Sequence, residues 1–187
     1  MNIPLYVTVA IIFLLLIGLV ALYNNLVAKR QMVDNGWADI DVQLKRRADL
    51  IPNLVEVVKG YAAHEKTVLD EVIQRRNDAL AASAPDANRE AVESAISQGL
   101  SRLFALAEAY PDLKANEQFL QLQGELSDTE TKIAYARRFF NGAVREYNTA
   151  IQTFPAVLMA GPFGFTAREF FEIEQVDRLL PDVSFKD

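Results

Sequence analysis

The pattern of apolar and polar positions divides the chain into one uninterrupted apolar stretch and a longer part with helical periodicity. No charged side chain occurs from Met1 to Ala28, and Ile3 to Leu22 is a run of twenty mostly apolar residues. A helix of that length is about 30 Å long, which matches the hydrocarbon core of a bilayer. The stretch also lacks the basic amino-terminal region of a cleaved signal peptide. It therefore predicts a transmembrane anchor over residues 1–28, with the span at about 3–23.

Residues 29–187 show the periodicity of packed helices. Apolar residues recur there at spacings of three and four, and no run alternates as a half-buried strand does. Between 119 and 154 a row of mostly large side chains lies beside a row of small ones, which predicts a helix packed closely against its neighbours. The large row is Phe119, Leu126, Ile133, Phe140, Tyr147 and Phe154, and the small row is Leu122, Thr129, Ala136, Ala143 and Ala150. We predict an all-α protein: one transmembrane helix, then an antiparallel four-helix bundle with long helices.

A second long pattern begins where the membrane span ends. Its two heptad rows are Trp37, Leu44, Ile51, Val58, Glu65, Val72 and Val33, Ile40, Arg47, Leu54, Tyr61, Val68. They predict one helix from Lys29 to Ala82, about 81 Å long. Pro52 lies inside it and, having no N–H, leaves the Ala48 carbonyl without its helical donor. We favour a kinked but continuous helix over one that begins at Pro52.

The remaining pieces are shorter. A helix is predicted over about 89–110, and a last amphipathic piece from Thr166 to about Leu180, after the breaks at Pro155 and in residues 161–164. The 89–110 helix returns only part of the way along the first helix, so the third helix is expected to run parallel to the first.

Little chain is then left to cover the apolar stripe nearest the membrane, which consists of Val33, Trp37, Ile40 and Leu44. Exposed contiguous apolar surface usually marks an interface. We therefore predict a homo-oligomer that self-associates through this stripe; the alternative is that the tail covers it.

Charge and composition exclude several classes of function. Nineteen Lys and Arg stand against 25 Asp and Glu, which argues against a nucleic-acid partner. No Cys and a single His exclude a thiolate zinc site, a cysteine nucleophile and a multi-histidine metal site. Lys29 and Arg30 follow the span and no basic side chain precedes it. By the positive-inside rule, we predict a single-pass cell-membrane protein with its amino terminus outside and its body in the cytoplasm.

Polar residues within the helical pattern are the candidate site. They are Arg47, Asp49, Asn53, Glu65, Glu130, Arg137 and Asn148. We interpret them as an internal polar network that fixes helix register, because a buried charge needs a partner; a partner-contacting surface is the alternative. His64 beside Glu65 lacks a recognisable catalytic partner, and no Glu-x-x-His pair of a bundle metal site occurs. We therefore expect no catalytic residue, no metal ligand and no cofactor, and thus a protein that is not an enzyme.

Several stretches together resemble the LemA family of bacterial membrane-anchored proteins. They include Arg46-Arg47-x-Asp49-Leu50-Ile51-Pro52-Asn53-Leu54-Val55, Lys59-Gly60-Tyr61, His64-Glu65, residues 110–116 and Tyr147-Asn148-x-x-Ile151-x-x-Phe154-Pro155. One departure is Phe140-Asn141, where the family tends to have Tyr-Asn. The resemblance implies an N-terminal anchor followed by an antiparallel helical bundle. It does not imply a defined biochemical activity.

The sequence therefore predicts a membrane-anchored helical scaffold or adaptor. Its expected partners are the lipid bilayer, a second copy of the chain and a further membrane protein. The alternative is a non-catalytic accessory subunit of a membrane enzyme such as a quality-control protease.

Overall fold

The chain is mainly helical in the ranges described by the structure, a computed structural model that covers residues 3–82 and 87–171. Within these ranges there is no strand. The helices are α1 (Ile3–Tyr61), α2 (Lys66–Ala81), α3 (Ala87–Ala107), α4 (Pro111–Lys114), α5 (Glu117–Gln152) and α6 (Val157–Ala160). The prediction of an all-α protein is confirmed for the described residues.

Helix α1 begins in the apolar stretch and continues without a break into the body of the protein. Its apolar part is long and hydrophobic enough to cross a bilayer, and no described residue of the rest of the chain covers its most apolar window. Pro52 lies inside α1, so the prediction of a continuous helix is confirmed. The Ala48 carbonyl, deprived of its helical donor by Pro52, accepts a hydrogen bond from Nε of Arg76 on α2 at 2.9 Å.

The first long helix ends earlier than the sequence pattern predicts. It stops at Tyr61, and α2 begins at Lys66 and turns back along α1, so the prediction of one helix to Ala82 is wrong. The heptad rows continue across this turn because the apolar faces of both helices pack onto the same core, as Val58 and Val72 show. The pattern records which residues are buried and does not record where the chain reverses.

This early reversal changes the direction of every later helix. Arg89 of α3 lies beside Asp41, and Tyr110, just after α3, lies beside Glu65, so α3 runs away from the membrane. Helix α5 then runs back, because Asn116 at its start bonds Tyr61. The prediction that the third long helix runs parallel to the first is wrong, since the two are antiparallel along the whole of α5.

Two hydrophobic cores occupy different levels of the molecule. The distal core draws on α1, α2, α3, α4 and α5, with Ile51, Leu54, Val58, Leu69, Val72, Ile96, Leu100, Leu103, Leu113, Phe119 and Leu126 among its buried members. The membrane-side core draws on α1, α5 and the chain after α5, including Leu26, Val33, Ile40, Leu44, Ile133, Phe140, Val144, Tyr147, Phe165 and Phe171. Of the long helices, α1, α2, α3 and α5 all contribute to the distal core. Only α1 and α5, together with the chain after α5, contribute to the membrane-side core.

Helix α5 forms as its two rows predict. The side chain of Asn116 accepts a hydrogen bond from the Phe119 amide and caps its first turn. Phe119, Leu126, Ile133, Phe140 and Tyr147 are buried, and so are Thr129 and Ala143 of the small row. The last member of the large row, Phe154, lies beyond the helix end and is 75% exposed. The expected close approach is found at Gly36, where an added Cβ would lie 3.2 Å from the backbone of Phe140.

The chain after α6 forms a tail that is not helical where the structure describes it. Residues 165–171 carry no regular secondary structure, so the amphipathic helix expected from Thr166 is wrong over 166–171. Its remainder, to about Leu180, lies outside the described residues. The tail instead runs antiparallel to α5, held by side-chain amides of that helix.

Candidate functional site

Arg47 of α1 is the centre of a charged cluster inside the protein. Its side chain is 0% exposed and forms ion pairs with Glu93 of α3 and Glu130 of α5. It also donates to the Ser97 hydroxyl of α3 at 3.1 Å. One guanidinium, whose donors form a fixed planar fork, thus joins three helices at one level. The predicted network therefore contains Arg47 and Glu130.

The principal carboxylate of this cluster, Glu93, was not among the predicted site residues. It is only 2% exposed and lies 2.8 Å from Arg89, which in turn lies 3.3 Å from Asp41 of α1. A sequence signal was present, because Glu93 precedes the buried residues Ile96 and Leu100 by three and seven positions. It therefore occupies the apolar stripe of α3, where a lone carboxylate predicts a buried basic partner.

Arg137 of α5 belongs to the edge of the same cluster. Its guanidinium lies over the ring of Phe171 in the tail, 4.6 Å from the centroid. Burial lowers the pKa of Arg137 below its ordinary value and the charge of Arg47 lowers it further, while nearby carboxylates oppose both effects. A cation over an aromatic face keeps a favourable electrostatic contact when water is excluded. Arg137 thus ties the charged cluster to the tail.

Asn148 and Asn141 hold the tail in register. The amide of Asn148 donates to the Arg168 carbonyl at 2.8 Å and accepts from the Arg168 amide at 2.9 Å. Asn141 pairs with Phe171 in the same way, at 2.8 and 2.9 Å. Seven helical residues rise about 10.5 Å and three extended residues span about 10 Å, so the spacing of the two asparagines matches the tail. Asn148 was predicted as a network member, and Asn141 was not.

Besides Asn148, which binds the tail, three predicted members lie outside the charged cluster. Asp49 and Asn53 are exposed on α1. Glu65 is half-buried in the turn between α1 and α2 and accepts a hydrogen bond from the Tyr110 hydroxyl at 3.3 Å. Burial raises the pKa of Tyr110, and the Glu65 carboxylate adds to that rise. The prediction that Asp49, Asn53 and Glu65 belong to the network around Arg47 is wrong. Asp49 and Asn53 lie on the exposed side of α1, and the turn at 62–65 places Glu65 at the distal end.

The apolar stripe next to the membrane is covered within one chain. Val33, Ile40 and Leu44 are buried in the membrane-side core. Trp37 is half-buried, with its ring 5.9 Å from that of Phe140 and 5.7 Å from that of Phe171. The expectation of an exposed stripe is wrong, because α5 and the tail both reach this level. Self-association through Val33, Trp37, Ile40 and Leu44 thereby loses its basis.

A polar cleft lies at the end of the molecule farthest from the span. Its volume is about 390 Å³, and its lining is Asn53, Glu56, Val57, Gly60, Tyr61, Asn116 and Gln118. Tyr61 is 43% exposed, and its hydroxyl accepts a hydrogen bond from Asn116 at 3.1 Å. Among the described residues, no group of three or more His, Cys, Asp or Glu side chains is placed to hold a metal ion. The exposed tyrosine and amides suit contacts with another polar surface.

Known proteins resemble this chain across the whole helical body. The sequence model of the LemA family matches residues 36–185. Magnetosome protein MamQ of Magnetospirillum gryphiswaldense is 26% identical over 177 residues, covering 81% of this chain and 62% of the relative. MamQ 2 of Paramagnetospirillum magneticum is 24% identical over 175 residues, covering 80% and 64%. Protein LemA of Metamycoplasma hominis is 25% identical over 177 residues, covering 92% and 81%.

The chain thus spans less than two thirds of the length of the magnetosome relatives. The family match, in contrast, extends from residue 36 in α1 through α2, α3, α4, α5 and α6. By that match, the chain is a member of the LemA family.

Proposed function

We propose that this protein is a membrane-anchored, non-enzymatic adaptor that presents a protein-binding surface at a fixed distance from the bilayer. The observation that carries the proposal is that α1 is unbroken: the same helix contains the apolar span and contributes buried residues to both hydrophobic cores. From Leu22 to Tyr61 this helix rises about 58 Å. A helix packed along that length by α5 acts as a rod, so movement of the distal end is coupled to the span.

The proposed binding surface is the distal tip, defined as residues 56–65 and 108–116. Several of the stretches that resemble LemA proteins meet there, although they are far apart in sequence. The tip carries the polar cleft and the exposed ring of Tyr61. Tyrosine is enriched at protein interfaces because its ring offers apolar area and its hydroxyl a hydrogen bond. The chain beyond residue 66 is net acidic, which keeps the tip away from anionic lipid.

The buried charges support a structural rather than a catalytic role. Arg47 of α1 pairs with Glu93 of α3, Glu93 also pairs with Arg89 on its own helix, and none of these three residues lines the distal cleft. The magnetosome relatives are named for a cellular structure and not for a reaction. Both observations favour an adaptor.

The proposed orientation places the distal tip in the cytoplasm, because Lys29 and Arg30 follow the span. The chain has no cysteine, so Lys59→Cys provides a single reactive thiol on the exposed end of α1. A membrane-impermeant maleimide should label this thiol only after spheroplasts are permeabilised. Labelling in sealed spheroplasts would show that the body faces the other side.

Photo-crosslinking tests the adaptor itself. A benzophenone amino acid at Tyr61 should give one discrete crosslinked product in native membranes, whereas the same group at Tyr135, an exposed position on α5, should give none. Mass spectrometry of the product then separates the alternatives. One stoichiometric enzyme indicates an accessory subunit, and a second copy of the chain indicates self-association through the tip. No product at Tyr61, or equal products at both positions, would contradict binding at the distal tip.

A further inference from the structure

An apolar surface lies on the membrane side of the body, away from the polar distal tip. No charged side chain occurs between Glu146 and Arg168, and this interval contains the elbow, defined as residues 154–164. The elbow joins α5 to the tail and includes the short helix α6. An interval of this length without charge is unusual on the surface of a water-soluble body, where charged side chains are dispersed.

The elbow lies at the level where α1 leaves the predicted span. Tyr23 directly follows the span, and its ring is 5.4 Å from the ring of Phe163 and 5.6 Å from that of Phe165. On the other side of the elbow, Lys29 pairs with Glu146 at 3.1 Å. These contacts fix the C-terminal end of the elbow and the last turns of α5 to the first two turns of α1 beyond the span.

The elbow has one buried and one exposed face. Ala156, Met159 and Ala160 are buried, whereas the side chains that point away from the protein are large and apolar. The exposed members are Phe154 at 75%, Leu158 at 68%, Phe163 at 51% and Val157 at 46%. Burial of a large apolar side chain is favourable by about 1.5–3 kcal/mol, and that free energy is lost while the side chain stays in water. An exposed face of four such side chains therefore indicates contact with another apolar surface.

The elbow face is continuous with the surface of the span. An open groove of about 490 Å³ between α1 and α5 connects the exposed face of the elbow with the end of the span. Its lining includes Leu22 and Leu26 on α1 and Ala150, Phe154 and Pro155 on the other side. Arg30 lies 5.1 Å from the ring of Phe165, so a cation stands beside the aromatic group at this level. Aromatic and basic side chains at the end of a span are typical of the headgroup layer.

We propose that the elbow is a second membrane contact, which inserts Phe154, Val157, Leu158 and Phe163 into the interfacial layer of the bilayer that α1 crosses. The lipid is favoured over a protein partner because the elbow lies at the level where α1 leaves the span, with Phe163 in ring contact with Tyr23. The two contacts, span and elbow, hold the rod at two points. Rotation and tilt of the body relative to the membrane are thereby restricted.

Spin labels on single cysteines test this inference in the full chain. Leu158→Cys and Phe154→Cys report on the elbow, Leu14→Cys on the span, and Leu120→Cys on an exposed apolar position of α5 at the distal end. Each labelled chain is reconstituted in nanodiscs of phosphatidylcholine and phosphatidylglycerol. The ratio of collision rates with oxygen and with a water-soluble nickel chelate then measures contact with lipid.

We expect the elbow labels to give an oxygen-to-nickel ratio several-fold above that of Leu120→Cys and below that of Leu14→Cys, which lies near the middle of the span. A ratio equal to that of Leu120→Cys would overturn the proposal, because the elbow would then lie in water. Low access to both reagents would also overturn it, since protein would then cover the elbow. All four labels replace exposed side chains, so far-UV circular dichroism should show the same helix content in each variant.

Discussion

The hydrogen bond from Arg76 to the Ala48 carbonyl should matter only because Pro52 is present. Pro52 removes the helical donor of that carbonyl, and Nε of Arg76 replaces it at 2.9 Å from the neighbouring helix. Arg76→Ala removes the replacement and leaves the carbonyl of the buried residue Ala48 unsatisfied. Loss of a hydrogen bond with a charged donor costs about 1.5–3 kcal/mol. We expect the free energy of unfolding to fall by that amount.

Pro52→Ala restores the backbone N–H that the Ala48 carbonyl lacks. In that background the carbonyl keeps a donor after Arg76→Ala, so the same substitution should cost at most about 1 kcal/mol. The difference between the two backgrounds is a coupling free energy of about 1–2 kcal/mol, which a double-mutant cycle isolates. The cycle separates this contact from any general effect of either substitution.

Urea unfolding of the reconstituted chain, followed by far-UV circular dichroism, supplies the four stabilities. Arg102→Ala is the matched control, because Arg102 is an exposed arginine that pairs with Glu71 at 2.9 Å and does not reach α1. Its effect should be the same with Pro52 and with alanine at that position. If Arg76→Ala costs the same in both backgrounds, the bond to Ala48 does not compensate for the proline and the reasoning is refuted.

Four further substitutions test other contacts by the same unfolding assay or by hydrogen exchange. Arg47→Met should cost about 3–5 kcal/mol because it removes the buried cation that pairs with both Glu93 and Glu130, whereas Glu65→Ala should cost about 1 kcal/mol or less; similar losses would refute the cluster. Asn148→Ala removes two hydrogen bonds to the tail, so exchange of the Arg168 amide should rise about tenfold, and unchanged exchange would show that the tail is held elsewhere. Gly36→Leu should cost about 1–3 kcal/mol by forcing α1 and α5 apart, and an unchanged urea midpoint would contradict their close approach.

Sequence periodicity predicted what each helix buries. The rows of α5 are buried from Phe119 to Tyr147 as expected, because side chains at heptad spacing share one face. Arg47 and Glu130 were also recognisable, since a charge on an apolar face requires a partner. The sequence does not identify Glu93 as the other partner, because that requires knowing which residues of α3 lie beside Arg47 of α1. The alignment of α3 along α1 depends on the turn between α1 and α2.

The reversal at residues 62–65 was not predictable from the same rows. Val58 and Val72 lie on one heptad row and pack into one core, so a straight helix and a hairpin give the same pattern. Gly60 is the main local sign of a break, and one glycine costs a helix only about 1 kcal/mol. Without this turn, the sequence pattern predicts the wrong directions for the later helices and an exposed stripe around Trp37.

The tail contacts arise from chemistry that periodicity does not describe. Asn141 and Asn148 bind backbone atoms of Phe171 and Arg168, and any residue except proline offers the same backbone groups. The sequence therefore shows the two amides and not their partners. Only the tertiary arrangement, in which the tail returns along α5, brings them together.

A distance measured along α1 tests most directly whether the body is a rigid continuation of the membrane span. Spin labels at Asn24→Cys and Lys59→Cys, both exposed, lie on either side of Pro52. Their separation along the helix is about 53 Å. Double electron–electron resonance of the full chain in nanodiscs should give one narrow distribution near that length. A broad distribution, or a main distance well below it, would show a hinge between the membrane and the distal tip and would contradict a fixed presentation of that surface.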